Sequence, residues 1–311
     1  MKKNIHFMMI FVFIASLLFF TGCGNSATSG DEDVMPKETV TFGSWPQTIK
    51  SENVTITEES KTCGMFTYYK GSDDEWYAKI EVPFYQSSTF SDGSSAESGD
   101  EKYFKVEPVK WVILTNNYNG KKLLLADKIL IAKSFDDNGS NYRDSKIRSW
   151  LNGDFFQTAF TAEEQNRIVT TVVDNSARST NPADNPTKWN DGKNDCATEN
   201  TNDKVFLLSE EEVTTRAYGF DADPDACKGD GIHSESSRIR FLTDFANASG
   251  ADGGFVADLG GFWWLRSSLP NYIEGRSIPC YVQHNGAADC HEAYVELMSE
   301  CFGVVPALCI E

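Results

Sequence analysis

Hydrophobic and polar residues alternate in several short segments of this chain, which is the pattern of half-buried β-strands. We predict strands at residues 38–48, 65–70, 76–85, 103–109, 110–114, 122–126 and 204–208. The dipeptide Asn119-Gly120 lies between two of them and favours the positive φ angles of a two-residue hairpin. Pro46 lacks an N–H donor and is expected to end the pairing of the first strand. The serine-rich, acidic stretch from Ser87 to Glu101 is predicted to be a loop.

Helical signals are few and short. Ser145 is a candidate N-cap, and the helix that it opens is expected to stop at Asn152-Gly153 in a left-handed conformation. A further helix is predicted from Ser237 to Ala248. Because strands and helices follow one another without regular βαβ alternation, the sequence predicts an α+β fold with mixed, mainly antiparallel sheets and a few short helices.

Two capping boxes mark the starts of further helices. Thr161 precedes Glu164 by three residues, and Ser209 precedes Glu212 by the same spacing. In such a box the hydroxyl accepts a backbone N–H of the first turn, and the glutamate reaches back to the cap. We therefore expect short helices directly after Thr161 and after Ser209.

The chain begins with the features of an export signal. Lys2 and Lys3 precede an apolar run from Ile5 to Phe20, which is too short for a durable membrane span. The run ends at Gly22-Cys23 in a pattern that resembles a bacterial lipobox. Cys23 is therefore predicted to be lipidated and to become the new N-terminus after cleavage. The alternative is an ordinary anchor helix with an incidental cysteine.

Three regions follow from this interpretation. Residues 1–22 are a lipoprotein signal peptide, 23–37 a flexible acidic tether, and 38–311 a single globular domain. Several acyl chains on one cysteine give stable membrane anchoring. The predicted location is the cell envelope, on the outer face of a bacterial membrane.

The composition limits the partners. The chain has 28 basic and 46 acidic residues, a formal charge of −18, and loses only two lysines with the signal peptide. Such a surface repels nucleic acid and anionic lipid headgroups. We therefore expect no nucleic-acid partner, and ligands that are neutral, cationic or bridged by a metal ion.

The densest aromatic segment runs from Gly261 to Ser268. It contains Trp263 and Trp264, whose side chains point to opposite faces of an extended chain. Arg266 falls on the face of Trp264, where it could stack on a ring, bridge strand ends or meet an acidic ligand. One interpretation is a core strand with a structural arginine, and the other is a ligand site that uses Trp264 and Arg266.

Five ordered blocks resemble a family of bacterial domains of unknown function. The blocks are Phe42 to Thr48, Ile147 to Gly153, Asp203 to Ser209, Trp263 to Ser267, and Gly303 to Leu308. Each block is weak by itself, but five in order are specific. Ser268 stands where many relatives have proline, and Val305 where many have arginine. The resemblance implies no activity for particular residues.

The end of the chain also resembles, more remotely, the C-type-lectin-like fold of formylglycine-generating-enzyme-like proteins. The residues that carry this likeness are Trp263 to Ser267, Pro279 to Val282, and Phe302 to Val304. The likeness implies a fold and not a function, because relatives of that fold include an oxidase, lectins and displayed ligand-binding proteins.

One hairpin gathers groups that carry chemistry. A two-residue turn at Asn285-Gly286 would put the side chains of Cys280, His284, Asp289 and His291 on one face. Cys280, His284 and His291 are candidate ligands of a transition metal. Alternatively, Cys280 and His291 form a thiolate–imidazole pair oriented by Asp289. The competing interpretations are a polar surface, or a disulfide between Cys280 and Cys290.

Two loops offer further candidate ligands. Asp221, Asp223 and Asp225 stand at every second position and offer the hard oxygen ligands that calcium prefers. The glycine and glutamate of an EF-hand are missing. Trp189 lies in a long polar loop, where it could stack on a sugar ring or dock back on the core. No other cofactor is expected.

We therefore expect an anchored module that binds a glycan or protein ligand without catalysis. Its ligand surface would be formed by the loops around Trp189, Asp221 to Asp230, and Asn271 to Cys301, near Trp264 and Arg266. The first alternative is an oxidase- or hydrolase-like enzyme that uses Cys280 and His291. The second is a solute-binding subunit of a transporter, although such proteins need two alternating α/β lobes.

Overall fold

Strands dominate the structure, a computed structural model. It describes residues 37–83, 87–137, 141–176, 179, 197–220, 236–253, 260–273, 276–289 and 302–311. These residues belong to one compact unit that starts at Lys37. The fold is α+β, with mostly antiparallel sheets and few short helices, as the sequence predicted.

The strands, in chain order, are β1 Thr39–Ile49, β2 Ile56–Cys63, β3 Phe66–Gly71, β4 Trp76–Glu81, β5 Ser87–Thr89, β6 Ser95–Glu97, β7 Glu101–Tyr118, β8 Lys121–Ala126, β9 Ile131–Ala132, β10 Thr171–Val173, β11 Thr201–Asp203, β12 Val205–Phe206, β13 Trp263–Ile273, β14 Arg276–Val282, β15 Ala288–Asp289, β16 Gly303–Val304 and β17 Ala307–Ile310. The α-helices are α1 Lys146–Trp150, α2 Phe156–Ala159, α3 Ala162–Arg167, α4 Glu210–Val213 and α5 Asp244–Ala248. A π-helical turn, Leu151–Phe155, joins α1 to α2. Single 3₁₀ turns lie at Tyr142–Asp144, Arg216–Tyr218 and Ser236–Arg238.

Two sheets organise the described residues. The larger has eight strands in the order β12-β17-β8-β7-β4-β3-β2, and β1 pairs with β7 beside this path. The smaller has the order β15-β14-β13-β16-β9. The chain passes directly from β8 to β9 and from β16 to β17, so two short connections hold the sheets side by side. The segment Trp263 to Ser268 begins the central strand of the smaller sheet.

Local turn and capping signals are confirmed. Tyr118 pairs with Lys121, and Asn119 and Gly120 have φ angles of 52° and 80°, as a two-residue hairpin of this kind requires. Both capping boxes form, with reciprocal hydrogen bonds at the starts of α3 and α4. These signals succeed because each involves residues no more than four positions apart.

The first strand does not end at Pro46. β1 continues to Ile49, and its register with β7 shifts between Pro46 and Thr48. A bulge at this point absorbs the missing donor of Pro46, while Trp45 remains fully buried. The predicted loop from Ser87 to Glu101 likewise contains paired structure, because β5 and β6 form a short hairpin within it.

The helix that Ser145 caps runs past Gly153. Gly153 is not left-handed, and the helix continues through the π-helical turn into α2. Asn152 explains part of this. Its side-chain amide donates to the carbonyls of Arg148 and Val205, and its side-chain oxygen accepts the N–H of Lys204. The side chain that was expected to end the helix therefore ties it to the larger sheet.

The helix predicted from Ser237 to Ala248 is also shorter than expected. Backbone bonds hold the preceding residues extended: Gly261 N–H donates to Arg240 O, and Ile129 N–H donates to Phe241 O. α5 therefore begins only after Thr243, whose hydroxyl accepts the N–H of Ala246. Tertiary pairing overrides the helical pattern in the first half of this segment.

Candidate functional site

Trp263 and Trp264 are both buried, on opposite faces of β13. The indole N–H of Trp263 donates to Arg238 O at 3.3 Å, and that of Trp264 donates to Lys133 O at 2.8 Å. Trp264 is 1% exposed, and its ring centroid lies 4.5 Å from that of Phe302. Each indole therefore has an acceptor and closely packed neighbours, which is the arrangement of a core residue.

Arg266 is 1% exposed and uses all its donors inside the protein. Nη1 donates to Glu212 Oε2 at 2.5 Å and to Leu207 O at 2.8 Å. Nε and Nη2 both donate to Asp174 O, and Nη2 also donates to Ser179 Oγ, each at 3.2 Å. A guanidinium has five N–H donors. With all five occupied, Arg266 has none left for a ligand.

Glu212 is the centre of this buried network. Its Oε2 accepts the backbone N–H of Ser209 in the capping box as well as Arg266, and its Oε1 accepts the hydroxyl of Tyr118 at 2.7 Å. Burial first, and then this carboxylate, raise the pKa of Tyr118 well above its usual range. Burial alone would lower the pKa of Arg266, but Glu212 outweighs it and the pKa is raised. The network is an internal ion pair rather than an open reaction centre.

The sequence blocks contact one another in this part of the fold. The rings of Trp45 and Trp150, from the first and second blocks, meet edge to face with centroids 6.2 Å apart. Arg148 in the second block forms a salt bridge with Asp203 in the third, with Nη2 2.6 Å from Oδ1. Asp203 has no exposed side-chain surface. The first three blocks therefore share one packed region.

The last three blocks are joined in the same way. Arg266 in the fourth block donates to the carbonyl of Leu207 in the third. Val205 in the third block pairs across the sheet with Leu308 in the fifth. The sequence blocks therefore pack against each other and form part of the core.

The hairpin at Asn285-Gly286 has a different register from the predicted one. Val282 pairs with Ala288 and Tyr281 with Asp289, and Gln283 N–H donates to Ala287 O. Gly286 has φ of 86°, whereas Asn285 is not left-handed. This is a three-residue turn with glycine in the left-handed position. The register that would have put Cys280 and Asp289 on one face is therefore absent.

Cys280 is 1% exposed and disulfide-bonded. Its partner lies outside the described residues, because Cys63 and Cys309 are both free. A disulfide sulphur is neither a nucleophilic thiolate nor a metal ligand, so both chemical hypotheses for Cys280 would need this bond to be reduced. His284 is half-buried, and its ring lies 5.2 Å from that of Phe262.

A cleft of about 400 Å³ lies where β1, β7 and the turn after β8 meet. Its lining includes Thr41, Gln47 and Thr48 from β1, and Asp127 and Lys128 from the turn. Ligand sites of small molecules commonly occupy clefts of about 300–1,000 Å³ with a few convergent polar groups. The cleft is therefore a candidate binding site among the described residues.

Hydrogen bonds hold the polar walls of the cleft in place. Gln47 Nε2 donates to Glu107 O at 3.1 Å. The carboxylate of Glu107 accepts the backbone N–H and the hydroxyl of Thr48 at 3.2 and 2.7 Å. Lys110 Nζ lies 3.1 Å from the carboxylate of Asp127. These contacts orient the lining side chains before any ligand arrives.

One family comparison identifies the domain. The family described as Domain of unknown function (DUF6273) matches residues 119–311, which is more than half of the chain. The chain belongs to the DUF6273 family. No curated protein and no solved structure matches it. Four of the five sequence blocks lie in the matched range, and the block from Phe42 to Thr48 precedes it.

Several predicted site residues of this DUF6273 protein fall outside the described residues. They are Cys23, Trp189, Asp221, Asp223, Asp225 and His291. The backbone of Asp289 is described, but its side chain is not. Within the described ranges, no three His, Cys, Asp or Glu side chains come together as metal ligands would.

The cleft was missed by sequence analysis of the DUF6273 chain. The available signal was the polar pair Gln47-Thr48, which follows directly on Pro46 and breaks the alternation of the strand. The contribution of Asp127 and Lys128 had no local signal, because the sheet brings them next to β1 from far along the chain. Among the described residues, none of the helices is both long and apolar enough to cross a bilayer.

Proposed function

We propose that this chain is an extracytoplasmic lipoprotein, anchored through Cys23, whose domain binds a glycan or protein ligand. The observation that carries export is the disulfide at Cys280, because structural disulfides persist in oxidising compartments and are rare in the cytosol. The charged and apolar start of the chain and the lipobox at Cys23 support the same location.

The cleft supports the binding half of the proposal. Its lining residues Gln47, Glu107 and Thr48 are held by mutual hydrogen bonds, so a ligand would meet a largely formed surface. Trp264 and Arg266 are buried in the core and do not line the cleft, so we assign them no contact with the ligand. Loops carrying Trp189 and the aspartates from Asp221 to Asp225 remain part of the proposed ligand surface, with calcium as the proposed ion.

The enzyme alternative with Cys280 and His291 has less support, because Cys280 has no free thiol in this structure. The transporter-subunit alternative requires two alternating α/β lobes. It has less support, because the described residues form one compact unit. A C-type-lectin-like core remains a proposal that fits the mixed sheets and carries no function by itself.

The anchor predicts a defined mature N-terminus. In the native bacterium, mass spectrometry of the mature protein is expected to find an acylated Cys23 and no residues before it. Cys23→Ala should leave the precursor uncleaved, while Cys63→Ser should be processed normally. A native protein that begins with an unmodified Met1 would contradict the proposal.

Filling the cleft predicts loss of ligand binding. The soluble mature domain, screened on glycan and protein arrays with and without calcium, is expected to bind at least one ligand saturably. Thr41→Trp places an indole in the cleft and should weaken that binding by about tenfold or more, a loss of about 1.4 kcal/mol. Thr62→Trp, on the exposed strand β2, is the matched control and should bind as the wild type does.

Two outcomes would count against the binding proposal. Absence of saturable binding on both arrays would remove its basis. Unchanged binding in Thr41→Trp would indicate that the ligand binds outside the cleft, at the loops that carry Trp189.

A further inference from the structure

The charges at the cleft differ from those of the chain as a whole. The protein has 46 acidic against 28 basic residues, yet the cleft is lined by Lys110 and Lys128 as well as by Glu107 and Asp127. Its lining is therefore balanced in formal charge within a strongly acidic molecule. A charge balance that departs locally from the surrounding surface affects which ligands approach.

The two carboxylates of the cleft already have partners. Asp127 forms an ion pair with Lys110, and Glu107 accepts both the N–H and the hydroxyl of Thr48. Lys128 is exposed, and no described residue forms an ion pair with it. Among the described residues, the cleft thus presents one cation, Lys128, without an ion-pair partner, and one carboxylate, Glu107, whose hydrogen-bond partners are neutral.

A second cation that forms no salt bridge with the described residues lies next to Asp127. The parallel bridge between Ile129 and Leu242 aligns Asp127 with Arg240, and the two side chains interact electrostatically without forming a salt bridge. Arg240 is 7% exposed, and its Nη1 donates to the carbonyls of Ser237 and Ile239. Its Nε is buried without a hydrogen-bond partner among the described residues.

Arg240 and Arg266 differ in the groups that surround their buried charge. Arg266 is buried with a carboxylate at 2.5 Å, whereas Arg240 is buried against carbonyls only. Burial lowers the pKa of Arg240 to about 10, and Asp127 opposes that change. The positive charge of Arg240 therefore adds to that of Lys128 around an aspartate that Lys110 already neutralises.

We infer that the cleft binds a sugar acid, a carboxylate carried on a polyhydroxylated ring, with the carboxylate at Lys128. This inference rests on the proposed binding function and specifies its ligand. Charge-assisted hydrogen bonds are about twice as strong as neutral ones, so the carboxylate determines the orientation of the ligand. Arg240 does not line the cleft, and it acts through its charge.

The remaining lining suits the ring of such a ligand. Gln47, Thr41 and Thr48 offer amide and hydroxyl groups, and Pro108 and Leu130 offer apolar surface for the C–H faces of a sugar. Ligand sites usually combine a few polar groups with a larger apolar surface. A simple inorganic anion would use Lys128 and leave these groups without partners.

The test compares ligands that differ only at the carboxyl group. Isothermal titration of the mature domain uses an oligosaccharide of D-glucuronate or D-galacturonate, and the same oligosaccharide with its carboxyl groups reduced to alcohols. The acidic form is expected to bind about tenfold more tightly. Lys128→Gln, which removes the charge and shortens the side chain by one atom, should abolish that difference. Lys122→Gln, at the opposite end of β8, is the control and should preserve it.

A second substitution, which removes a negative charge instead of a positive one, should have the opposite effect on binding. Asp127→Asn removes the negative charge between Lys110, Lys128 and Arg240, so binding of the acidic oligosaccharide should become several-fold tighter. Weaker binding of the acidic form in Asp127→Asn would overturn the inference. So would equal binding of the acidic and reduced forms by the wild type, or inorganic phosphate that competes at the same concentration as the sugar acid.

These outcomes separate the inference from the function on which it rests. If the reduced, neutral oligosaccharide binds as well as the acidic one and Thr41→Trp abolishes both, the binding module stands and the sugar-acid inference fails. If no oligosaccharide and no array ligand binds, the proposed function fails as well.

Discussion

Glu212→Gln is expected to lower the free energy of unfolding by about 3–5 kcal/mol, because it leaves Arg266 buried with an uncompensated charge. Arg266 is fully buried, and among the described residues Glu212 is the partner that neutralises its guanidinium. Arg266 also donates three hydrogen bonds to backbone carbonyls and one to a hydroxyl. These bonds satisfy its N–H groups but do not neutralise its charge. Urea denaturation at neutral pH, followed by tryptophan fluorescence, measures the change.

The control for this prediction is an exposed ion pair. Glu101→Gln removes the partner of Lys79 on the surface of the larger sheet, and it should leave the urea midpoint unchanged within error. A double-mutant cycle between Glu212→Gln and Arg266→Met isolates the interaction of the two side chains. A change below about 1 kcal/mol for Glu212→Gln would mean that the carbonyls suffice to hold the charge.

Trp264→Ala is expected to destabilise the domain by about 3–5 kcal/mol, through loss of buried contacts and the cavity that remains. The indole is 1% exposed, packs on Phe302 and Phe135, and donates to Lys133 O. Because a domain has only about 5–15 kcal/mol of stability, a large share of the molecules would unfold on mild heating. Thermal and urea unfolding of the purified variant measure this.

Phe241→Ala is the matched control for an aromatic side chain. Phe241 is 51% exposed, and its removal should change stability by less than about 0.5 kcal/mol. If Trp264→Ala keeps wild-type stability and loses ligand binding, the indole contacts the ligand, and its placement in the core would be contradicted. Loss of binding together with stability carries no information about the ligand site, so binding tests belong to the cleft variants.

Buried contacts also join the sequence blocks to one another. The blocks meet around Trp45, Arg148, Asp203 and Arg266, all of which are held by contacts inside the protein. Packing of this kind specifies a scaffold. Gln47 and Thr48 of the first block are the exception, because they line the cleft.

Local signals in the sequence were sufficient for part of the structure. Asn119-Gly120 specified its hairpin, and the spacing of Thr161 to Glu164 specified a helix start, because the hydrogen bonds involved span only a few residues. The α+β class followed from alternating segments interrupted by short helical patterns. The two interpretations of Arg266 could not be separated at that level, since its acceptors come from residues far away along the chain.

The sequence alone thus determined the class of fold, the capped helix starts, one hairpin and the family blocks, because each is encoded by neighbouring residues. Only the tertiary structure decided that β1 continues past Pro46 and that Gly153 lies within a helix, since pairing with distant strands outweighs local preference there. It alone placed Arg266 against Glu212 and brought Lys128 beside Gln47. Burial and charge balance depend on side chains that meet only after the sheets have assembled.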